Sequence, residues 1–190
     1  MAHISIVGTG SMGQAISGVL TEGGNTVQLL GETDTDQQVA GDIVVLAVPY
    51  PAIDQVLAQR GDQLAGKIVI DITNPVNFET FSLAVPADSS AAAEIASKVP
   101  GARVLKGFNT TFAATLNAGT VGPLPTTVLV AGDDTEAKAT VLDLISAAGL
   151  KGIDAGPLSR ARELEALGLL QISLAANEKV AWTGGFGVVA

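Results

Sequence analysis

Short apolar runs rich in Val and Ile recur along the chain at Ile4 to Val7, Val27 to Leu30, Ile43 to Val48, Ile68 to Ile72, Arg103 to Phe108 and Thr126 to Ala131. They are nearly continuous rather than alternating, which is the pattern of strands buried on both faces of a parallel sheet. Six strands are expected on this pattern, and a weaker run at Lys151 to Asp154 offers a seventh. Between the runs apolar residues return every three or four positions. That period predicts helices over Met12 to Thr21, Pro51 to Gln59, Ser89 to Lys98, Thr135 to Ala148 and about Arg160 to Asn177. Ser89 and Asp134 stand where N-caps belong, because a short side-chain oxygen accepts the free N–H groups of a first turn. Alternating strands and helices give an α/β class with a doubly wound, mostly parallel sheet.

One connection breaks the rhythm. Only 12 residues, Gly31 to Asp42, separate the second strand from the third. A parallel crossover needs about a dozen residues without any extra element. The sheet is therefore expected to be shortened after the second strand, which then lies near an edge. At the other end, Leu164, Leu167, Leu170, Ile172, Leu174 and Ala176 make the last helix apolar on more than one side. Such a helix must be covered. We expect residues 1–157 to form the sheet domain and residues 158–190 a helix and tail packed on it as one unit. The tail Trp182-Thr183-Gly184-Gly185-Phe186 adds further apolar surface, and a homodimer through this helix is the expected assembly.

Composition narrows the function. With 47% hydrophobic and 15% charged residues in 190, the chain has the material for one sizeable core and is not disordered. Ten Lys and Arg against 19 Asp and Glu leave a net charge of -9, which argues against nucleic acid and membrane surfaces as partners. There is no cysteine and a single histidine, His3, so thiolate nucleophiles, disulfides and zinc sites are excluded and no metal is expected. Neither a basic-flanked apolar leader nor 18 consecutive apolar residues occurs, and a cytoplasmic protein is the default expectation.

The first strand runs into Gly8-Thr9-Gly10-Ser11-Met12-Gly13, a G-x-G-x-x-G placed between a strand and a helix. The first glycine permits the tight turn, the second lets a pyrophosphate approach the backbone, and the third lets helix and strand pack closely. The helix N-terminus adds unpaired N–H groups and a partial positive charge. This points to a dinucleotide on a Rossmann-like domain; a glycine turn in a generic α/β protein and a nucleoside-binding loop are the alternatives. At the end of the second strand stand Gly31, Glu32 and Thr33, with no Lys or Arg between Gly31 and Gln59. A carboxylate there suits a ribose 2′-OH, so this position taken alone favours NAD. Ala47-Val48-Pro49-Tyr50-Pro51, Asp71-Ile72-Thr73-Asn74-Pro75-Val76-Asn77 and Gly107-Phe108-Asn109-Thr110 each follow a strand. Ligands of open α/β sheets sit outside those carboxyl ends, so the three segments are expected to converge on the far half of the cofactor.

Missing groups count as well. The chain has no G-x-S-x-G elbow, no P-loop lysine after the glycines and no Tyr-x-x-x-Lys, since its only tyrosine is Tyr50. Reduction of a ketone usually needs a proton donor, and Lys106 is the only nearby candidate. Its place at a strand end reads as a surface position. Hydride exchange between two redox cofactors needs mainly orientation, because the cofactors carry the chemistry. The expected activity is thus an NAD(P)-dependent oxidoreductase passing hydride between nicotinamide and a flavin, a deazaflavin or another small acceptor. A non-catalytic redox-sensing module and a small-carbonyl dehydrogenase are the alternatives.

Taken in order, Gly8 to Gly13, Ala47 to Pro51, Thr73 to Pro75, Lys106 to Thr110, Ala131-Gly132-Asp133 and Asp154 to Leu158 resemble the NADP oxidoreductases that use the deazaflavin coenzyme F420, and most of all their small bacterial relatives. The reductase domain of membrane ferric reductases is similar too. The resemblance covers nearly the whole chain. It implies a Rossmann domain, a C-terminal helical cap that helps dimerise, NADP on the glycine loop, and hydride passing between nicotinamide and a stacked deazaflavin. It further implies that Thr9, Ser11 and Met12 touch the pyrophosphate, that Val48, Pro49 and Tyr50 line the path from adenosine to the nicotinamide ribose, and that Asn74 and Pro75 lie near the nicotinamide. The family's Ser-Arg pair for the 2′-phosphate falls on Gly31 and Glu32, where this chain departs from the pattern.

Overall fold

Seven strands form one sheet in the computed structural model, which describes residues 1–189. In chain order the strands are β1 (His3–Val7), β2 (Thr26–Leu30), β3 (Ile43–Leu46), β4 (Ile68–Asp71), β5 (Val76–Asn77), β6 (Ser82–Leu83), β7 (Arg103–Lys106), β8 (Thr120–Val121), β9 (Leu124–Pro125), β10 (Thr127–Gly132) and β11 (Lys151–Gly156). The helices are α1 (Ser11–Glu22), α2 (Ile53–Arg60), α3 (Ala91–Lys98), α4 (Ala113–Ala118), α5 (Thr135–Ala147) and α6 (Ala161–Ala176). The sheet order is β11-β10-β7-β4-β3-β1-β2, while β5-β6 and β8-β9 are separate small hairpins. All neighbours are parallel except β10, which meets β7 antiparallel at Ala131–Lys106 and Gly132–Leu105. Gly132 gives room there, since a Cβ would force the end of the Leu105 side chain to shift.

Both faces of the sheet are covered, as the continuous apolar runs require. Ile4, Ile6, Ile43, Val45, Ile68 and Ile70 pack on one side with Ile16 and Val19 of α1, Leu116 of α4 and Val141 and Ile145 of α5. The alternate residues Val7, Val44, Leu46 and Val69 pack on the other with Ile53 of α2 and Ile95 of α3. Each such side chain removed from water contributes roughly 1.5–3 kcal/mol. Among the described residues no helix is long and apolar enough to cross a membrane.

The shortened crossover is observed: β2 is an edge strand, and neither helix nor strand occurs between Leu30 and Ile43. Its backbone groups still need partners. Side chains supply them. Ser5 accepts the Gly41 N–H (2.9 Å), Gln28 accepts Ala40 N–H (3.1 Å), Gln63 accepts Val39 N–H (2.8 Å) and the Lys67 ammonium donates to the Gly41 carbonyl (2.6 Å). Ser5 in turn donates to Gln28 at 2.7 Å, which explains a fully buried serine in the first strand.

Three expectations need correction. The cap of α3 is Ser90 rather than Ser89; its hydroxyl accepts the Ala93 N–H at 3.1 Å, whereas Asp134 caps α5 as expected. The run Tyr50–Ala52 is a separate 3-10 turn before α2, so Pro51 opens that turn and not the α-helix. Helix α4 was not foreseen. It is too short for its period to show, and a reciprocal bond between Phe112 N–H and the Thr115 hydroxyl (3.2 Å) starts it while left-handed Gly119 ends it.

Candidate functional site

The three glycines of the first loop are glycine for different reasons. Gly8 has φ +120°, and a Cβ on it would overlap the Ala47 carbonyl; a Cβ on Gly13 would overlap the Gly8 carbonyl. These two are demanded by the protein's own packing. Gly10 is not: its φ of -70° suits any residue, and a Cβ there would meet nothing within 4 Å. Neither backbone conformation nor packing requires glycine at this position.

Gly10 is also the N-cap of α1, and it provides no side-chain bond to the first turn, which holds no acidic residue either. The protein caps α3 and α5 with Ser90 and Asp134 but leaves the N–H groups of α1 open. An open N-terminus attracts an anion through those groups and the helix dipole. Beside it lies a cavity of about 370 Å³. Gly8, Thr9 and Gly10 of the loop, Gly31 and Glu32 after β2, and Ala47, Val48 and Pro49 after β3 form one side, and Gln55, Val56, Gln59 and Arg60 of α2 form the other. Ser11 and Gly13 stand in the adjoining first turn of α1, one exposed and one buried, and Met12 packs partly on the core.

Other expected residues are placed elsewhere. Thr33 is exposed and outside this cavity. The Tyr50 ring turns toward α3, where its hydroxyl donates to Glu94 at 2.6 Å. Burial, reinforced by that carboxylate, pushes its pKa above the usual tyrosine value. Asn74 and buried Pro75 do not line the cavity. Instead Asn74 and Asn109 exchange bonds, Asn74 Nδ2 to the Asn109 carbonyl (2.8 Å) and Asn109 Nδ2 to Asn74 Oδ1 (2.9 Å). Asn109 also donates to the Leu164 carbonyl of α6 at 2.9 Å, and Gly168 gives the room, since a Cβ there would overlap Asn74. Phe108 beside them is fully buried at φ +60°, a strained conformation for a bulky residue that costs about 1–3 kcal/mol and clusters at ligand sites.

Lys106 is not a surface residue. It is 0% exposed, because β7 is an inner strand whose end is roofed by α6. Its ammonium donates to Asp71 (2.7 Å), to the Thr73 carbonyl (2.5 Å) and to Glu165 of α6 (2.9 Å), which commits all three of its protons. Asp71 further accepts Thr73 N–H at 2.8 Å, and Glu165 accepts the Ala91 and Ala92 N–H groups at 3.0 and 3.3 Å at the start of α3. Burial raises the Glu165 pKa above the usual carboxylate value, with Lys106 opposing. This cluster ties α6 and α3 to the turn that carries Asn74. No group of three His, Cys, Asp or Glu among the described residues could hold a metal ion.

Known proteins are similar to this chain in sequence and fold. The model of the family "NADP oxidoreductase coenzyme F420-dependent" matches residues 27–75. The F420-dependent NADP reductase of Methanocaldococcus jannaschii is 30% identical over 171 residues, which cover 87% of this chain and 76% of that protein. The chain belongs to the coenzyme F420-dependent NADP oxidoreductases. The crystal structure of a candidate F420-dependent NADP reductase from Arthrobacter sp. FB24 superposes with a TM-score of 0.87 over 100% of both chains at 25% identity. Metalloreductase STEAP3 of Rattus norvegicus is 35% identical over 137 residues, 72% of this chain but only 27% of that longer protein.

Two charged residues stand here that the pattern of the sequence does not single out, Arg60 and Glu165. Arg60 lies just past the stretch from Gly31 to Gln59 that holds no cation, yet it lines the cavity with Glu32. Glu165 is visible only as a single acid inside the apolar stretch Leu164-Glu165-Ala166-Leu167, whereas Asp71 opens the segment after the fourth strand that is expected at the cofactor. A lone acid in such a run signals a buried counter-charge, but the run does not say for which cation.

Proposed function

We propose that this protein, as an NADP-dependent oxidoreductase, holds NADP across the carboxyl ends of β1 and β3 and exchanges hydride with a deazaflavin of the F420 class. Gly10 carries the reading: a glycine that neither backbone nor packing requires, at an uncapped helix start, beside a cavity, in a chain of this family. The Ser11 and Met12 amides and the Thr9 hydroxyl would hold the pyrophosphate. Gly31 and Glu32 would meet the adenosine ribose, and Ala47, Val48 and Pro49 would form the wall toward the nicotinamide. When bound, NADP supplies the hydride chemistry at its nicotinamide ring. Asn74, Pro75 and Tyr50 act behind that surface: the Asn74–Asn109 pair fixes the turn, and Tyr50 fixes α3.

No residue here needs to deliver a proton. Lys106 has no free N–H, and the Tyr50 hydroxyl is spent on Glu94. A ketone reductase would lack its acid, whereas hydride exchange between two rings needs only their orientation. Purified protein given NADPH and an oxidised deazaflavin should consume NADPH at a protein-dependent rate. Flavin but not deazaflavin turnover would move the acceptor class, and loss of NADPH only with small ketones would overturn the reading.

We further propose that residues 158–189 form a cap on the 1–157 body, that two chains pair through it, and that the enzyme works in the cytoplasm; Ala190, the last residue of the expected cap, lies outside the described residues. The support is exposed apolar surface: Leu170 on α6 is 49% exposed and Phe78 on the neighbouring hairpin 67%. Trp182 of the tail meets Phe112 at a tilt, with ring centroids 4.9 Å apart, yet stays 53% exposed, which adds to the apolar surface a second chain would cover. Light scattering at micromolar concentration should read about twice the 19.1 kDa chain mass, and a monomer would contradict the pairing.

A further inference from the structure

Arg60 is a buried cation without an anion. Its residue is 4% exposed, and its guanidinium donates to two neutral backbone carbonyls, Nη1 to Gln37 (2.6 Å) and Nη2 to Asp34 (2.6 Å). It forms no ion pair with any carboxylate among the described residues. Of the acids on the same loop, Asp34 accepts the Gly31 N–H (2.8 Å) and a Gln37 side-chain N–H (2.8 Å), and Glu32 is exposed. Burying an unpaired charge is costly, so a chain that keeps one has a use for it. Two bonds leave three of the five guanidinium N–H groups unspent.

The position says which anion. Arg60 borders the same cavity as Gly31 and Glu32, at the end of β2 where the adenosine ribose of a Rossmann ligand lies. We infer that Arg60 is the specificity-determining residue for the ribose 2′-phosphate, entering from the end of α2 in place of a basic residue after β2. The inference rests on the NADP reading above and adds to it the group that selects the phosphorylated ribose. The same side chain anchors the shortened crossover through Asp34 and Gln37, so the loop that carries Glu32 and the cation that offsets it are set together. Guanidinium suits phosphate because it can offer parallel N–H groups to two oxygens.

The test compares adenosine 2′,5′-bisphosphate with 5′-AMP by calorimetry on the full chain, alongside Arg60→Met and Arg60→Lys. Wild-type protein should bind the bisphosphate at least about tenfold more tightly than AMP. Arg60→Met should bring the two within about threefold by weakening the bisphosphate much more than AMP, and Arg60→Lys should fall between. Arg60→Lys keeps a cation under the loop and decides the matter if Arg60→Met melts before it can be titrated. Equal losses for both nucleotides would make Arg60 a loop anchor only and overturn the assignment, as would no change in either. Wild-type protein that binds both nucleotides alike overturns the role of Arg60 alone. Protein that binds neither removes the dinucleotide reading itself.

Discussion

Lys106→Met should lower stability by about 3–5 kcal/mol, a drop of roughly 10 °C in melting temperature for a chain of this size. The substitution keeps an apolar stem of similar length and removes the charge. Asp71 and Glu165, both fully buried, would then face each other without a cation. Breaking one partner out of a buried cluster costs more than deleting the cluster, so Lys106→Met with Glu165→Leu should recover part of the loss. A pH signature separates this from simple packing damage. Burial already holds the Glu165 pKa high, so the folded state binds its proton more readily than the unfolded chain does. Stability from this group falls as pH rises through its folded value and is most favourable below the unfolded value of about 4.3. Without the ammonium that opposes burial, that pKa climbs further. The gap between wild type and Lys106→Met should therefore be widest near neutral pH and narrow on acidification, as read by thermal melts from pH 4 to 8. A gap independent of pH would mean that Glu165 carries no charge in the folded protein.

The elements with strong local signals were legible. Strands β1, β3 and β4 announce themselves as unbroken Val and Ile runs, because an inner parallel strand has no wet face. The edge position of β2 followed from counting Gly31 to Asp42. Helix α4 was not legible, since its six residues span less than two turns. At the site, the glycine loop could be read because its letters describe backbone geometry at adjacent positions. The Lys106 cluster could not: its members stand at positions 71, 106 and 165, and only the sheet order together with the docking of α6 makes them neighbours. Arg60 illustrates the same limit at closer range. A side chain that reaches β2's loop from the next helix leaves no mark in that loop's own residues.

Gly10→Leu is the variant with the largest expected effect on function and the least on folding. The backbone at position 10 lies in a region open to any residue, and the new side chain would project into space with no protein atom within 4 Å of its Cβ. Gly8→Leu and Gly13→Leu would instead strike the Ala47 and Gly8 carbonyls and test only packing. Leu at position 10 would occupy the approach to the Ser11 and Met12 amides. A bound pyrophosphate would lose those contacts, and affinity should fall by about a hundredfold or more, equivalent to roughly 3 kcal/mol. The direct measurement is a calorimetric titration of NADP into wild-type and Gly10→Leu protein, with a thermal melt of each. The account predicts micromolar or tighter binding to wild type, none detectable to the variant, and melting temperatures within a few degrees. Equal NADP affinity in the two proteins would contradict it, because the dinucleotide would then lie somewhere other than on the glycine loop.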